Sequence, residues 1–255
     1  SGTVYAGNTE ALQTQVAEGY SLSLALSGSQ VMGTDLNPTL SNSTLLSSLN
    51  AGAGVPPGSF TISDRSGKTA TINVAAGMTA GNLLSAINSA GINVSASINN
   101  RKIGIFVTDS SPVINQGLTV ADVGGGTTAA MLGILGRRDG NLEGLDLNPA
   151  LTASTSLSQL NGGAGLSLTS INIVNGASSG VVTLSSATNI GDVINLINNS
   201  GMNVTASINS QGNALRISSN NSSTVAVASD VGNGTSAQDL GIGGGRNVFT
   251  ALVNL

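Results

Sequence analysis

"AGNLLSAINSAGINVSASIN", residues 80–99, returns as "IGDVINLINNSGMNVTASIN" at residues 190–209. In each copy the apolar residues change their period partway along. Leu83, Leu84 and Ile87 keep the spacing of one helix face, as do Ile190, Val193, Ile194 and Ile197. Beyond Gly91 the pattern becomes strict alternation at Ile92, Val94, Ala96 and Ile98, the mark of a half-buried strand. Val204, Ala206 and Ile208 repeat that alternation. Thr79 stands where a helix cap belongs, and Gly91 where a helix stops. The spacing therefore predicts helices over 80–90 and 190–200, each running into a strand.

Working outward, Phe60 and Ile62 alternate with polar residues, "DRSG" turns, and Ala70, Ile72 and Val74 return, which is a hairpin signature. After the helix and its strand, "NNRK" turns into Ile103, Ile105 and Val107. The second copy has Ile171 and Ile173, Val182 and Leu184, then Leu215 and Ile217 in the same order. Strand, strand, helix, strand, strand predicts an α+β fold: in each copy a mainly antiparallel four-stranded sheet with one covering helix. Two more stretches are duplicated. "DLNPTLSNSTLLSSLNAGAG" (35–54) recurs at 146–165, and "DVGGGTTAAMLGI" (122–134) at 230–242. The copies lie about 110 residues apart, the size of a small domain. The expected organisation is a first domain over 35–145, closed by the joint "RDGNLEG" (138–144), and a second over 146–247.

The two ends differ from the repeats. Within residues 1–34, "LQTQV" and "SLSLAL" alternate around Glu18-Gly19, which predicts an N-terminal β-hairpin. At 248–255 Phe249, Leu252 and Val253 have helical spacing but the chain ends within a turn or two. The chain reads as the middle of a longer protein, with 1–34 connecting to a helical core and 248–255 as the stub of a core helix.

Composition narrows the chemistry. Only 8% of the 255 residues are charged, against a usual share of about a quarter, and Ser, Thr, Asn and Gly supply the polarity. A net charge of −4 leaves no basic footprint for nucleic acid, and Arg137–Arg138 is no more than an isolated pair. No window approaches the roughly 20 apolar residues of a membrane-spanning helix. His, Cys and Trp are absent, which removes Cys/His metal sites, Cys nucleophiles, His bases and disulfides together. The expectation is no enzyme, with no catalytic, cofactor or metal residue.

Three motifs imitate function. Gly124, Gly126 and Ala129 fit the relaxed dinucleotide fingerprint G-x-G-x-x-G/A. Yet both glycine loops close a copy instead of opening a β-α-β unit, so they read as turns with Asp122 or Asp230 bonding nearby backbone. "DGNLEGLDLNPA" begins like a calcium loop at Asp139, Asn141, Glu143 and Gly144, but Ala150 stands where a bidentate Glu belongs. The sequons, such as those at Asn42 and Asn203, are what a Ser/Thr/Asn-rich chain produces by chance. Twelve acids scattered over loops offer no converging pair for acid–base work.

Residues 46–98, "LSSLNAGAGVPPGSFTISDRSGKTATINVAAGMTAGNLLSAINSAGINVSASI", and their second copy resemble the "hook IN" domain of bacterial flagellar proteins. Residues 4–33 and the tail "NVFTALVNL" resemble the segments that flank the helical core in hook-associated proteins of the hook–filament junction. The resemblance implies a structural protein of the extracellular flagellum. Its partners would be flagellin, the first hook-associated protein and copies of itself. Terminal helices would assemble the tube while middle domains stand outward, leaving this stretch monomeric or weakly associated. It departs from shorter members, which have one small β-rich domain where this chain has two. The same domains occur in flagellins and the filament cap, and a secreted adhesin or phage-fibre module would share the composition.

Overall fold

The computed structural model describes residues 13–17, 20–23 and 35–243. Its contacts separate two compact units, one of residues 37–165 and one of residues 1–36 with 166–255. Within the described part of the N-terminal region, β1 (Gln13–Ala17) pairs antiparallel with β2 (Tyr20–Ser23), Gln13 opposite Ser23, as the alternation predicts. The turn expected at Glu18-Gly19 and the stub expected at 248–255 lie outside the described residues.

In the unit of residues 37–165, β3 (Gly58–Ser63) and β4 (Thr69–Val74) form the expected hairpin. Helix α1 (Ala80–Asn88) follows, then β5 (Val94–Ile98), β6 (Ile105–Asp109), β7 (Leu118–Asp122), the one-turn helix α2 (Thr128–Met131), β8 (Gly136–Arg138) and β9 (Leu142–Glu143). Thr79 caps α1 reciprocally with Asn82, each side chain accepting the other residue's backbone N–H, at 3.2 and 2.9 Å. Gly91 takes φ 72° where the chain leaves the helix. Leu83, Ile87, Phe60, Ile62, Ile105 and Val107 meet in a core where each is at most 1% exposed.

The other unit repeats the order in residues 166–243: β10 (Ser170–Asn175), β11 (Ser178–Thr183), α3 (Ile190–Asn198), β12 (Val204–Ile208), β13 (Leu215–Ser219), β14 (Ala226–Asp230) and α4 (Ser236–Asp239). Asn189 and Asp192 form the same reciprocal cap on α3. Ile171, Ile173, Ile190, Val193 and Ile197 are fully buried.

The α+β architecture with antiparallel pairing holds in both copies, but the strands are divided between two ladders in each. The orders are β4-β3-β7-β8 and β5-β6-β9 in one unit, β11-β10-β14 and β12-β13 in the other. Two physical causes separate them. The far side of β3 is taken by β7, whose Leu118 and Val120 are as buried as the residues of β3 itself. The edge of β5 is taken by a side chain. Asn88 Oδ1 accepts the Ala96 N–H at 2.6 Å, and Asn88 Nδ2 donates to the Ala96 carbonyl at 3.1 Å. Asn198 treats Ala206 of β12 identically, at 2.7 and 3.2 Å. One amide thus stands in for a neighbouring strand and leaves no place for another.

Two expectations need adjustment. The joint "RDGNLEG" supplies strand residues: β8 pairs with β7, and β9 with β6. And Ile194, which the helical spacing groups with the core, is only half-buried, while Leu84 is buried as expected. Leu83→Ala and Ile197→Ala should each cost about 2–5 kcal/mol in urea denaturation followed by circular dichroism. Ile194→Ala should cost clearly less. Equal losses at Ile194 and Ile197 would contradict the burial of this helix.

Candidate functional site

The glycine loops join β7 to the one-turn helix α2 in one unit and β14 to the one-turn helix α4 in the other. Gly124 and Gly125 take φ of 62° and 76°, and Gly232 takes 59°. The Gly126 N–H donates to Val123 at 3.0 Å, and Gly234 to Val231 at 3.0 Å, closing the same turn twice. The glycines are therefore needed for backbone conformation. Beyond the turn, the Asp122 carboxylate accepts the N–H groups of Ala129 at 2.6 Å and Ala130 at 3.3 Å. Asp230 accepts that of Ala237 at 2.6 Å. A phosphate would need those same N–H groups, and would meet a negative charge already seated on them.

The calcium-like residues are likewise engaged in the fold. Asn141 Oδ1 accepts the Asp109 N–H at 3.1 Å, and Glu143, on β9, accepts from Asn99 Nδ2 at 2.7 Å. The Gly144 N–H donates to Ile105 at 2.8 Å. Asp139 is exposed and lies 3.8 Å from Arg137, an ion pair of little energetic weight. Among the described residues no three His, Cys, Asp or Glu gather as a metal site would require. The sequon residues Asn42 and Asn203 are exposed, and their carbonyls accept backbone N–H groups from Gly81 and Asn220.

Reading the sequence missed the polar centre of the first unit. Asp64, with no exposed surface, sits in the β3–β4 turn. It accepts the Ser66 N–H and hydroxyl at 3.0 and 2.7 Å, the Lys68 N–H at 2.9 Å, and the Asn93 N–H and side-chain amide, both at 2.9 Å. Next to it, Asp109 accepts the N–H of Arg65 at 2.7 Å and of Ser111 at 2.8 Å, with the Arg65 guanidinium 3.5 Å away. Burial opposes ionisation of both carboxyls. For Asp64 the donors on Asn93, Ser66 and Lys68 outweigh it; for Asp109 Ser111 and Arg65 do. Both groups are held below the ordinary value of 3.8. The corresponding turn in the other unit has the neutral Asn175, which donates to Met202 and Asn203 and accepts from Thr224.

The duplicated "DLNP…LN-GAG" segments hold a second arrangement, built inside the unit of residues 37–165. The N–H of Thr39 donates to Gln159 at 2.8 Å, and that of Ala150 to Ser48 at 2.7 Å. The N–H of Gly162 donates to Asn37 at 3.0 Å, and that of Ala51 to Asn148 at 2.8 Å. Equivalent residues exchange equivalent bonds, as across a twofold axis. The repeated Asn and Gly make this possible: Asn50 and Asn161 take φ of 55° and 53°, Gly52 and Gly163 both take 86°. This exchange explains why the compact unit ends after Gly165, past the joint. The second "DLNP" segment bonds to the first, and Leu147 enters the first core.

A scan of protein-family models and a comparison with curated proteins both found no match. Among solved structures, the flagellar cap protein of Helicobacter pylori aligns at 17% identity over 84% of this chain, with a TM-score of 0.22. The chain spans 56% of that protein's length, and a superposition so loose bears on neither fold nor role.

The acid network predicts a pH dependence. A carboxyl whose folded pKa is depressed adds stability above its unfolded value, and that stability is lost as pH falls through the folded value. The urea midpoint of the first unit should therefore drop below about pH 4, while the Asn175 turn contributes no such term. Asp64→Asn presents one acceptor oxygen where two served, so it should lower stability at pH 7 and flatten the acid dependence. Urea titrations at pH 7 and pH 3 check both; an unchanged slope with pH in Asp64→Asn would exclude this carboxylate as the cause.

Proposed function

We propose that the chain is a structural, non-catalytic part of the axial assembly of the bacterial flagellum. More narrowly, it is the outward middle region of hook-associated protein 3, the hook–filament junction protein. The observation that carries this reading is the duplicated "hook IN"-like stretch 46–98, bracketed by segments that resemble the flanks of the junction protein's helical core. Physical features are consistent with it. Zero cysteine suits a protein exported unfolded, since nothing can cross-link on the way. The glycine loops spend their N–H groups on Asp122 and Asp230, which favours a structural turn over a cofactor cradle.

Immunogold labelling of isolated flagella, with antibodies against residues 35–243, tests the reading. Label is expected in a band at the hook–filament junction. Label along the whole filament would make the parent a flagellin, label at the tip a cap protein, and unlabelled flagella would remove the chain from the organelle. Calorimetry with NAD, ATP and calcium should register no specific heat; micromolar binding of any of them would reverse the non-catalytic reading.

A further inference from the structure

We infer that this chain pairs edge to edge with a second copy of itself, β4 of one copy adding antiparallel to β11 of the next. The inference starts from how the outer strands end. An open edge presents unpaired N–H and C=O groups, and natural sheets normally blunt it. Here β5 and β12 are blunted by Asn88 and Asn198. Strand β8 carries the exposed Arg137 and Arg138, β9 is two residues long, and β13 carries Arg216. Strand β14 meets Gly243 through a bridge at Ala228.

Strands β4 and β11 have none of these devices. Each is six residues long, "TATINV" and "SSGVVT", without charge or proline. Which of their residues point outward follows from the register. Ser59 accepts the Val123 N–H, so its carbonyl faces β7; Phe60 and Ile62 then bond β4 through Ile72 and Ala70. That leaves Thr69, Thr71 and Asn73 with backbone groups on the free side. In the other unit Leu184 donates to Thr169, so the bonded pairs are Ile171–Val182 and Ile173–Gly180, and Ser179, Val181 and Thr183 face out. Among the described residues, no backbone group of either strand bonds outside its own ladder.

An extended strand is the chemical complement of such an edge, and this chain carries both halves of the match. The edges agree in length and lack of charge, and Val181, 61% exposed, would lie over the Thr-rich face beside β4. A six-residue edge is about 20 Å long, and one strand pair buries far less than the ~1,200 Å² of a stable complex. Pairing is therefore weak in solution and takes effect where copies are held side by side at about millimolar local concentration. That setting rests on the flagellar reading; the edge geometry does not.

Sedimentation velocity of the full chain, from about 10 μM to about 1 mM, tests the inference. The wild-type sedimentation coefficient should rise with concentration. Thr71→Pro and Val181→Pro remove outward N–H groups and no ladder bond, so each alone should abolish the rise with the circular dichroism unchanged. Mixed in equal amounts they should form a dimer, because one keeps an intact β11 and the other an intact β4. If a proline variant unfolds, Thr71→Lys and Val181→Lys replace it. A monomeric wild type, a single variant that associates normally, or a mixture that stays monomeric would each overturn the inference. The assay contains no flagellar component, so its failure speaks against the edges and leaves the immunogold result untouched.

Discussion

Two hydrogen bonds organise each copy: Asn88 accepts the N–H of Ala96 and donates to its C=O, and Asn198 does the same with Ala206. They join the last turn of the helix to the middle of the following strand, so the helix is tied to one ladder while its apolar face packs on the core. They also close an edge that would otherwise need a strand. Leaving a buried peptide unpaired costs about 1–3 kcal/mol for each group, so this arrangement restricts every alternative pairing of β5 and β12. Together with β7 beside β3 and β14 beside β10, it divides each domain into two small ladders.

The same economy runs through the molecule. With 8% charged residues, the chain has few Lys or Glu side chains for guarding edges and capping helices, and amides, hydroxyls and short carboxylates do that work instead. Asn82 and Asp192 close the reciprocal caps. Asp122 and Asp230 tie a one-turn helix to the strand before it. Asp64 gathers five donors from two segments. Such short side chains lose little rotamer entropy on ordering and reach only nearby backbone, which suits a fold made of small ladders and tight turns. The first copy uses a carboxylate where the second uses Asn175, so the copies share a shape and differ in their response to acid.

Periodicity made the helices, the strand alternation and the duplication legible, because burial on one face leaves its mark every second or every third to fourth residue. The caps at Thr79 and the stop at Gly91 were legible for the same local reason, and so was the role of Asp122 in its turn. Ile194 shows the limit of this reading. Its spacing belongs to the core face, yet only packing decides that Val193 and Ile197 take the buried places.

What the tertiary structure alone decided was long-range partnership. Leu118 and Val120 alternate like any strand, and nothing local says that β7 sits beside β3. Neither does the joint announce that it will become β8 and β9, nor "DLNP" that it will bond its own repeat and carry Leu147 into the first core. A hydrogen bond between Thr39 and Gln159 joins residues 120 positions apart, and no periodicity spans that distance. Local propensity and amphipathic pattern are written residue by residue. Which edge meets which is settled only when every buried N–H and C=O must find a partner at once.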